Sequence, residues 1–214
     1  MIRGVIFDMD GVLIEAKDWH YEALNRALRL FGYEISRYDH VTTFDGLPTK
    51  KKLQMLSVEN NLPTELHDFI NDMKQRYTME IVNARCKPRF NHEYALSKLH
   101  AAGYKLAVAS NSIRSTIEVM MQRAALDSYL SFIVSNQDVS RAKPDPEMYN
   151  KAIATFGFKP EECVIVEDNE NGIRAAKASG AHVLEVDDVE DVTHDNIMRK
   201  IAEVEAEEAK RGAA

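Results

Sequence analysis

The chain has 214 residues, of which 45% are hydrophobic and 29% charged, the balance of an ordinary globular protein with a substantial core. Its formal net charge of −7 argues against a nucleic-acid-binding protein, which needs a basic surface. No apolar run approaches the roughly 18–20 residues that cross a bilayer, and the N-terminal segment does not resemble a secretory signal. We therefore expect a cytoplasmic protein, by default a monomer, that binds neither membranes nor nucleic acids.

Short apolar runs alternate along the chain with longer helical patterns. The runs are rich in β-branched residues and do not alternate with polar ones, which predicts strands covered on both faces of a parallel sheet. They lie at 4–7, 105–109, 132–134, 163–166 and 182–186. Helices are predicted near 91–102, 113–124, 146–157 and 170–179, with an amphipathic helix from 195 to about 209. This alternation predicts an α/β fold with a Rossmann-like, open parallel sheet.

Residues 16–83 interrupt this rhythm. They contain no convincing strand, and helical periodicity is present in 19–31, 49–56 and 65–81. A wholly helical block between the first strand and the remaining strands is typical of an inserted domain. The sequence therefore predicts a catalytic core formed by 1–15 and 84–214, with a small α-helical cap domain at 16–83.

Polar side chains follow several of the predicted strands. Ligands bind at the carboxyl ends of the strands in open parallel sheets, so these residues are the candidates for a site. They are Asp8 and Asp10 after the first run, Ser110 and Asn111 after the second, Lys143 a loop beyond the third, and Glu167 and Asp168 after the fourth.

These residue types fit the chemistry of a phosphate ester. Four carboxyl groups in one small volume repel one another unless a cation holds them, and hard oxygen ligands favour Mg²⁺. Ser110, Asn111 and Lys143 are candidates for binding the phosphoryl oxygens. The spacing from Ser115 to Glu118 fits a capping box, which predicts a helix N-terminus directed at the same anion. Any one of these motifs alone would be an ordinary turn, cap or surface lysine, whereas their coincidence at several strand ends favours a site.

The motifs resemble those of the haloacid dehalogenase-like superfamily, in the branch with a helical cap after the first strand. Asp8-Met9-Asp10-Gly11-Val12 is similar to its nucleophile motif, and Ser110, Lys143 and Glu167-Asp168 are similar to the other three. The resemblance implies a Mg²⁺-dependent phosphatase in which Asp8 forms an aspartyl phosphate and Asp10 is the general acid and base. It also implies a metal site formed by Asp8, the Asp10 backbone carbonyl, Asp168 and Glu167. The expected substrate is a small phosphorylated metabolite such as a sugar phosphate.

Two alternatives to a phosphatase remain open: another enzyme of the superfamily and a protein without catalytic activity. A sugar-phosphate mutase resembling β-phosphoglucomutase shares the spacing from Asp8 to His20, but Ala16 stands where that mutase has a threonine. A non-enzymatic binding module is the other. Dehalogenases and phosphonoacetaldehyde hydrolases of the superfamily lack an aspartate at the position of Asp10, so neither is expected here.

The predicted cap contributes the candidate substrate contacts. The segment 44–50, which includes Asp45, resembles the substrate-specificity loop of the family, with Gly46 at its turn. We expect substrate contacts from His20, Gly46, Lys50 and Lys74, and Lys51 and Lys52 directly follow Lys50.

Overall fold

The centre of the protein is a five-stranded parallel sheet. A computed structural model describes residues 1–44 and 46–212, with side chains to Lys210. The strands follow the order β3-β2-β1-β4-β5, and every neighbouring pair is parallel. They are β1 (Gly4–Phe7), β2 (Lys105–Ala109), β3 (Phe132–Val134), β4 (Cys163–Glu167) and β5 (His182–Glu185). The order reverses between β1 and β4, which is the position where open α/β sheets bind ligands.

Helices cover the sheet, as the apolar strand runs require. They are α5 (Phe90–Ala101), α6 (Arg114–Arg123), α7 (Glu147–Phe156), α8 (Glu170–Ala178) and α9 (His194–Gly212). Every residue of β1 and β4 is buried. Met148, Tyr149 and Ile153 of α7 belong to one buried cluster with Ile6 and Ile165 of the sheet. The predicted α/β fold with an open parallel sheet is therefore confirmed.

The chain divides into two compact units. The first comprises Met1–Glu15 and Lys87–Ala214, and the second comprises Ala16–Cys86. The second unit contains α1 (Lys17–Arg29), α2 (Arg37–Asp39), α3 (Thr49–Asn60) and α4 (His67–Arg85). It has its own apolar core, formed by residues such as Leu28, Leu53 and Ile70. The role of this helical unit as a cap stays a prediction.

The C-terminal helix α9 is amphipathic. Ile197, Ile201 and Val204 are buried along one face, as their spacing predicts. Within the described ranges, no helix combines the length and the apolar character that crossing a membrane requires.

The capping-box prediction for α6 is wrong. The helix begins at Arg114 after an extended Ile113 whose side chain makes no cap hydrogen bond, so Ser115 lies inside the first turn. The Arg114 backbone N–H instead donates to Gln137 Oε1 at 2.9 Å. Gln137, which follows β3, thus supplies the hydrogen-bond acceptor that Ser115 was expected to provide.

Candidate active site

Backbone hydrogen bonds fix the residues that follow the central strands. The Asp8 backbone N–H donates to Val166 O at 3.0 Å, and the Ser110 N–H donates to Val134 O at 3.0 Å. The parallel pairing therefore continues one residue beyond β1 and β2. Because the carboxyl ends of parallel strands lie at the same edge of a sheet, Asp8, Ser110 and Glu167 are held at one edge.

The loop after β1 is a tight turn that brings Asp10 back towards this edge. Gly11 has a φ of 94°, a conformation that a residue with a Cβ adopts at a cost. The Met9 carbonyl accepts hydrogen bonds from the N–H groups of Leu13 and Ile14, at 3.0 and 2.9 Å. On this turn Asp10 Oδ2 accepts a hydrogen bond from the Ser112 hydroxyl at 3.2 Å, which links the loop after β1 to the loop after β2.

The ammonium of Lys143 bridges two carboxylates of the site. It is 2.7 Å from Asp8 Oδ1 and 2.7 Å from Glu167 Oε1, and all three side chains are buried. The Lys143 backbone N–H donates to Asn111 Oδ1 at 3.2 Å. Asn111 therefore contacts the loop that carries the lysine, while its phosphate-binding role stays a prediction.

Three carboxylates form a cluster that fits a divalent cation. Oxygen atoms of Asp8, Glu167 and Asp168 all lie within 4.8 Å of one another. An all-carboxylate set of this kind is suited to a hard cation such as Mg²⁺, which prefers oxygen ligands and retains water. The donor set therefore fits the metal that the sequence predicts. The carboxylate of Asp10 does not belong to this cluster of described side chains.

The ionisation of the buried groups reflects an excess of negative charge. Burial raises the pKa of Asp8 well above its ordinary value, and Lys143 only partly opposes the effect. The neighbouring carboxylates of Glu167, Asp168 and Asp10 raise the pKa of Asp8 further. Burial lowers the pKa of Lys143, but the charges of Asp8 and Glu167 outweigh it, so the pKa of the lysine is raised overall. A bound cation would offset the surplus negative charge and favour the ionised form of Asp8.

Ser110 follows β2 at the same edge of the sheet. Its side chain is buried, and its hydroxyl oxygen accepts a hydrogen bond from the Ser112 N–H at 3.1 Å. The hydroxyl hydrogen is thereby left to donate elsewhere, which is the property that binding a phosphoryl oxygen requires.

Sequence reasoning missed Tyr149. This residue lies on α7 and is fully buried, and its hydroxyl is 2.5 Å from Glu167 Oε1. A tyrosine on the apolar face of a helix was a signal, because a buried phenol needs a hydrogen-bond partner. The sequence did not indicate which partner that would be.

The residues of the helical unit that were predicted to contact substrate differ in how far they are exposed to solvent. Lys74 is buried, and its ammonium lies 3.2 Å from His20 Nδ1. Of the three successive lysines, Lys50 and Lys51 are exposed and Lys52 is buried. Gly46 has a φ of 69°, consistent with a turn, and Asp45 lies outside the described residues.

The fold and this edge together define an α/β protein with a carboxylate–lysine site at the switch point of a parallel sheet. The family model of haloacid dehalogenase-like hydrolases matches residues 5–186. The chain therefore belongs to the haloacid dehalogenase-like hydrolase family, and the prediction that it is an enzyme of this group is confirmed.

Curated relatives of the chain include enzymes that act on phosphate compounds. A phosphorylated carbohydrates phosphatase of Thermotoga maritima is 29% identical over 182 residues, with 84% of this chain and 82% of the relative covered. A pyrophosphatase of Anoxybacillus flavithermus, PpaX, is 29% identical over 192 residues, with 84% and 80% covered.

Solved structures share the fold. The β-phosphoglucomutase of Clostridium difficile superposes with a TM-score of 0.82 at 21% identity, covering 95% of this chain and 98% of the other. CbbY of Rhodobacter sphaeroides, determined with phosphate, gives a TM-score of 0.77 at 23% identity, covering 86% and 85%. At these identities the likeness establishes the fold.

Proposed function

We propose that this protein is a Mg²⁺-dependent phosphatase that hydrolyses a small phosphorylated metabolite, with a sugar phosphate as the expected substrate. The observation that carries the proposal is the Lys143 ammonium, which lies 2.7 Å from both Asp8 and Glu167 beside a cluster of three carboxylates. A phosphoryl group needs such a combination of a nucleophile, a fixed positive charge and a metal site. The names of the relatives in Thermotoga maritima and Anoxybacillus flavithermus support the same reaction class.

The proposed reaction has two steps that use the same pair of aspartates. An oxygen of Asp8 attacks phosphorus and forms a new P–O bond, while the ester P–O bond breaks. Asp10 gives its proton to the departing alcohol oxygen. Asp10 then accepts a proton from water as the water oxygen attacks the phosphoaspartate, which releases inorganic phosphate and restores Asp8.

The remaining residues of the edge position the phosphoryl group. Lys143 would neutralise charge beside Asp8, and the hydroxyl of Ser110 would donate to a phosphoryl oxygen. Asp8 and Asp168, with Glu167 beside them, would hold the divalent cation, which when bound neutralises charge on the phosphoryl oxygens. Asn111 supports the loop of Lys143 and is the further candidate for phosphate binding.

The helical unit is proposed to select the substrate. His20 and Lys74 form a polar pair, and Lys74 is buried, so a polar group of a substrate could exchange for their mutual contact. Gly46, in the loop before α3, and Lys50, in the first turn of α3, remain proposed substrate contacts. The mutase alternative has support from the fold of β-phosphoglucomutase alone, whereas the relatives with curated activities cited above are hydrolases.

The test is a phosphate-release assay with p-nitrophenyl phosphate and a panel of sugar, polyol and nucleotide phosphates, with Mg²⁺ or with EDTA. We expect Mg²⁺-dependent release by the wild type and a loss of at least about 10³-fold in Asp8→Asn, which keeps the shape of the side chain and removes the nucleophile. The matched control is Asp127→Asn, an exposed aspartate of the same unit, which should retain full activity. Equal release by Asp8→Asn and the wild type would refute the assignment of the nucleophile. Interconversion of hexose 1- and 6-phosphates without free phosphate would replace the phosphatase by a mutase.

A further inference from the structure

Glu167 is the last residue of β4, and its carboxylate is buried. Only 1% of the residue is exposed, and its carboxylate belongs to the three-carboxylate cluster and contacts Lys143. A buried carboxylate is tolerated only where hydrogen bonds replace the water it has lost. The source of those hydrogen bonds therefore determines where the carboxylate points.

Four donors bind the two oxygens of Glu167. Oε1 accepts from the Lys143 ammonium at 2.7 Å and from the Tyr149 hydroxyl at 2.5 Å. Oε2 accepts from the backbone N–H groups of Asp168 and Asn169, at 3.1 and 3.3 Å. Because both oxygens are bound from defined directions, these donors fix the orientation of the carboxylate beside Asp8 and Asp168.

Gly172 of α8 leaves the space that this carboxylate fills. A Cβ at position 172 would lie 1.8 Å from Glu167 Oε1 and 2.1 Å from its carboxyl carbon. Neither distance is compatible with a real contact, so even an alanine would displace the carboxylate. This observation is independent of the hydrogen bonds and shows that the position of the carboxylate depends on the helix beside it.

Tyr149 links the carboxylate to the lysine. The Lys143 ammonium lies 4.6 Å from the centroid of the tyrosine ring, while the hydroxyl of the same ring binds the carboxylate. A ring face favours a cation and a phenol favours a carboxylate, so one buried side chain orients both partners of the ion pair. The same lysine is hydrogen-bonded to Asp8.

We propose that Tyr149 is a positioning residue of the active site, which acts by holding the Glu167 carboxylate in the space left by Gly172. The oriented Glu167 carboxylate in turn holds the Lys143 ammonium beside Asp8. It also binds the backbone N–H of Asp168, which belongs to the three-carboxylate cluster. Tyr149 makes no contact with substrate in this role. The expected effect on catalysis rests on the proposed function. The direct test is Mg²⁺ binding, which does not require phosphatase activity.

Tyr149→Phe removes the hydroxyl and retains the ring that packs in the core and faces the lysine. Groups that orient metal ligands typically alter metal affinity or activity by 10–100-fold when they are removed. We expect the Mg²⁺ dissociation constant, measured by calorimetry without substrate, to rise about tenfold, and kcat to fall by about the same factor. The KM for the phosphate ester should stay within about twofold, because the hydroxyl does not bind substrate.

Gly172→Ala provides a second test, for which a helical role and the positioning role predict different Mg²⁺ binding. Alanine favours a helix over glycine, so a purely helical role of Gly172 predicts a variant that binds Mg²⁺ normally. The positioning role predicts weaker Mg²⁺ binding, because the alanine Cβ would displace the Glu167 carboxylate. Ser179→Ala is the matched control, since it removes a buried hydroxyl that bonds to Ala176 O at the far end of α8 and should leave Mg²⁺ binding unchanged.

The outcomes separate this inference from the phosphatase assignment. Normal or tighter Mg²⁺ binding by either Tyr149→Phe or Gly172→Ala overturns the positioning role, even in an active phosphatase. Weaker binding by both, with a double mutant less impaired than the sum of the single effects, supports it. If the wild type binds Mg²⁺ but releases no phosphate from any ester, the proposed function fails and the binding result still decides the positioning role.

Discussion

Lys143→Met probes the charge balance of the buried site. Methionine retains much of the aliphatic stem and removes the ammonium that bridges Asp8 and Glu167. The substitution therefore leaves two buried carboxylates facing each other next to Asp168, with no compensating cation when Mg²⁺ is absent. We expect a large loss of stability in EDTA and a smaller loss in Mg²⁺.

The magnitude follows from the burial of the ion pair. Removal of one partner of a buried pair costs about 3–5 kcal/mol, because the other charge stays buried without compensation. Loss of the contact with the Tyr149 ring adds up to about 1–2 kcal/mol, and uptake of a proton by the carboxylates limits the total. We therefore expect the free energy of unfolding to fall by about 3–5 kcal/mol at pH 7 in EDTA. In a protein of this size that corresponds to a Tm lower by about 6–20 °C. The kcat/KM should fall by at least about 10²–10³-fold.

Urea unfolding at pH 7 and at pH 4.5, followed by circular dichroism in EDTA, measures this effect. The difference between variant and wild type should narrow at the lower pH, because the pKa of Asp8 is already raised and its protonation relieves the repulsion. Lys177→Met is the matched control, since Lys177 forms an exposed ion pair with Glu185 at 2.6 Å and should change stability by less than about 1 kcal/mol. If both variants lose the same small amount, Lys143 does not hold the buried carboxylates together.

Two further substitutions test local parts of the same unit. Ser112→Ala removes the hydroxyl that donates to Asp10 Oδ2 at 3.2 Å, and the loss of one such bond should lower kcat by about 2–10-fold with little change in KM. An unchanged kcat would show that the orientation of Asp10 does not depend on this bond. Asp138→Asn tests the turn after β3: burial alone would raise the pKa of Asp138, but hydrogen bonds from Ser135 and the charge of Arg114 lower it overall. A lowered pKa means that the carboxylate contributes its stability above about pH 4 and loses it as the pH falls through the lowered value. The variant should therefore unfold about 1–2 kcal/mol more easily at pH 7, with the difference shrinking in acid-titration measurements as the pH falls below about 4. A constant difference across that range would contradict the linkage.

The sequence by itself determined the architecture of the sheet and most of the residues at its edge. Apolar runs without alternation can be satisfied only as strands buried on both faces, so the parallel sheet followed from local pattern. The carboxyl ends of such strands share one edge, so the sequence alone groups Asp8, Ser110 and Glu167. Lys143 was identified by its motif, because the length of a loop does not fix where its side chain points.

Only the tertiary structure decided how these side chains are supported. The hydroxyl of Tyr149 reaches Glu167, and the side chain of Gln137 rather than Ser115 serves the first turn of α6. Of the lysines at 50–52, the packing of the helical unit buries Lys52 alone. Local sequence fixes backbone preferences over a few residues, whereas the direction and the hydrogen-bond partners of a side chain depend on segments that are distant in the chain and meet only on folding.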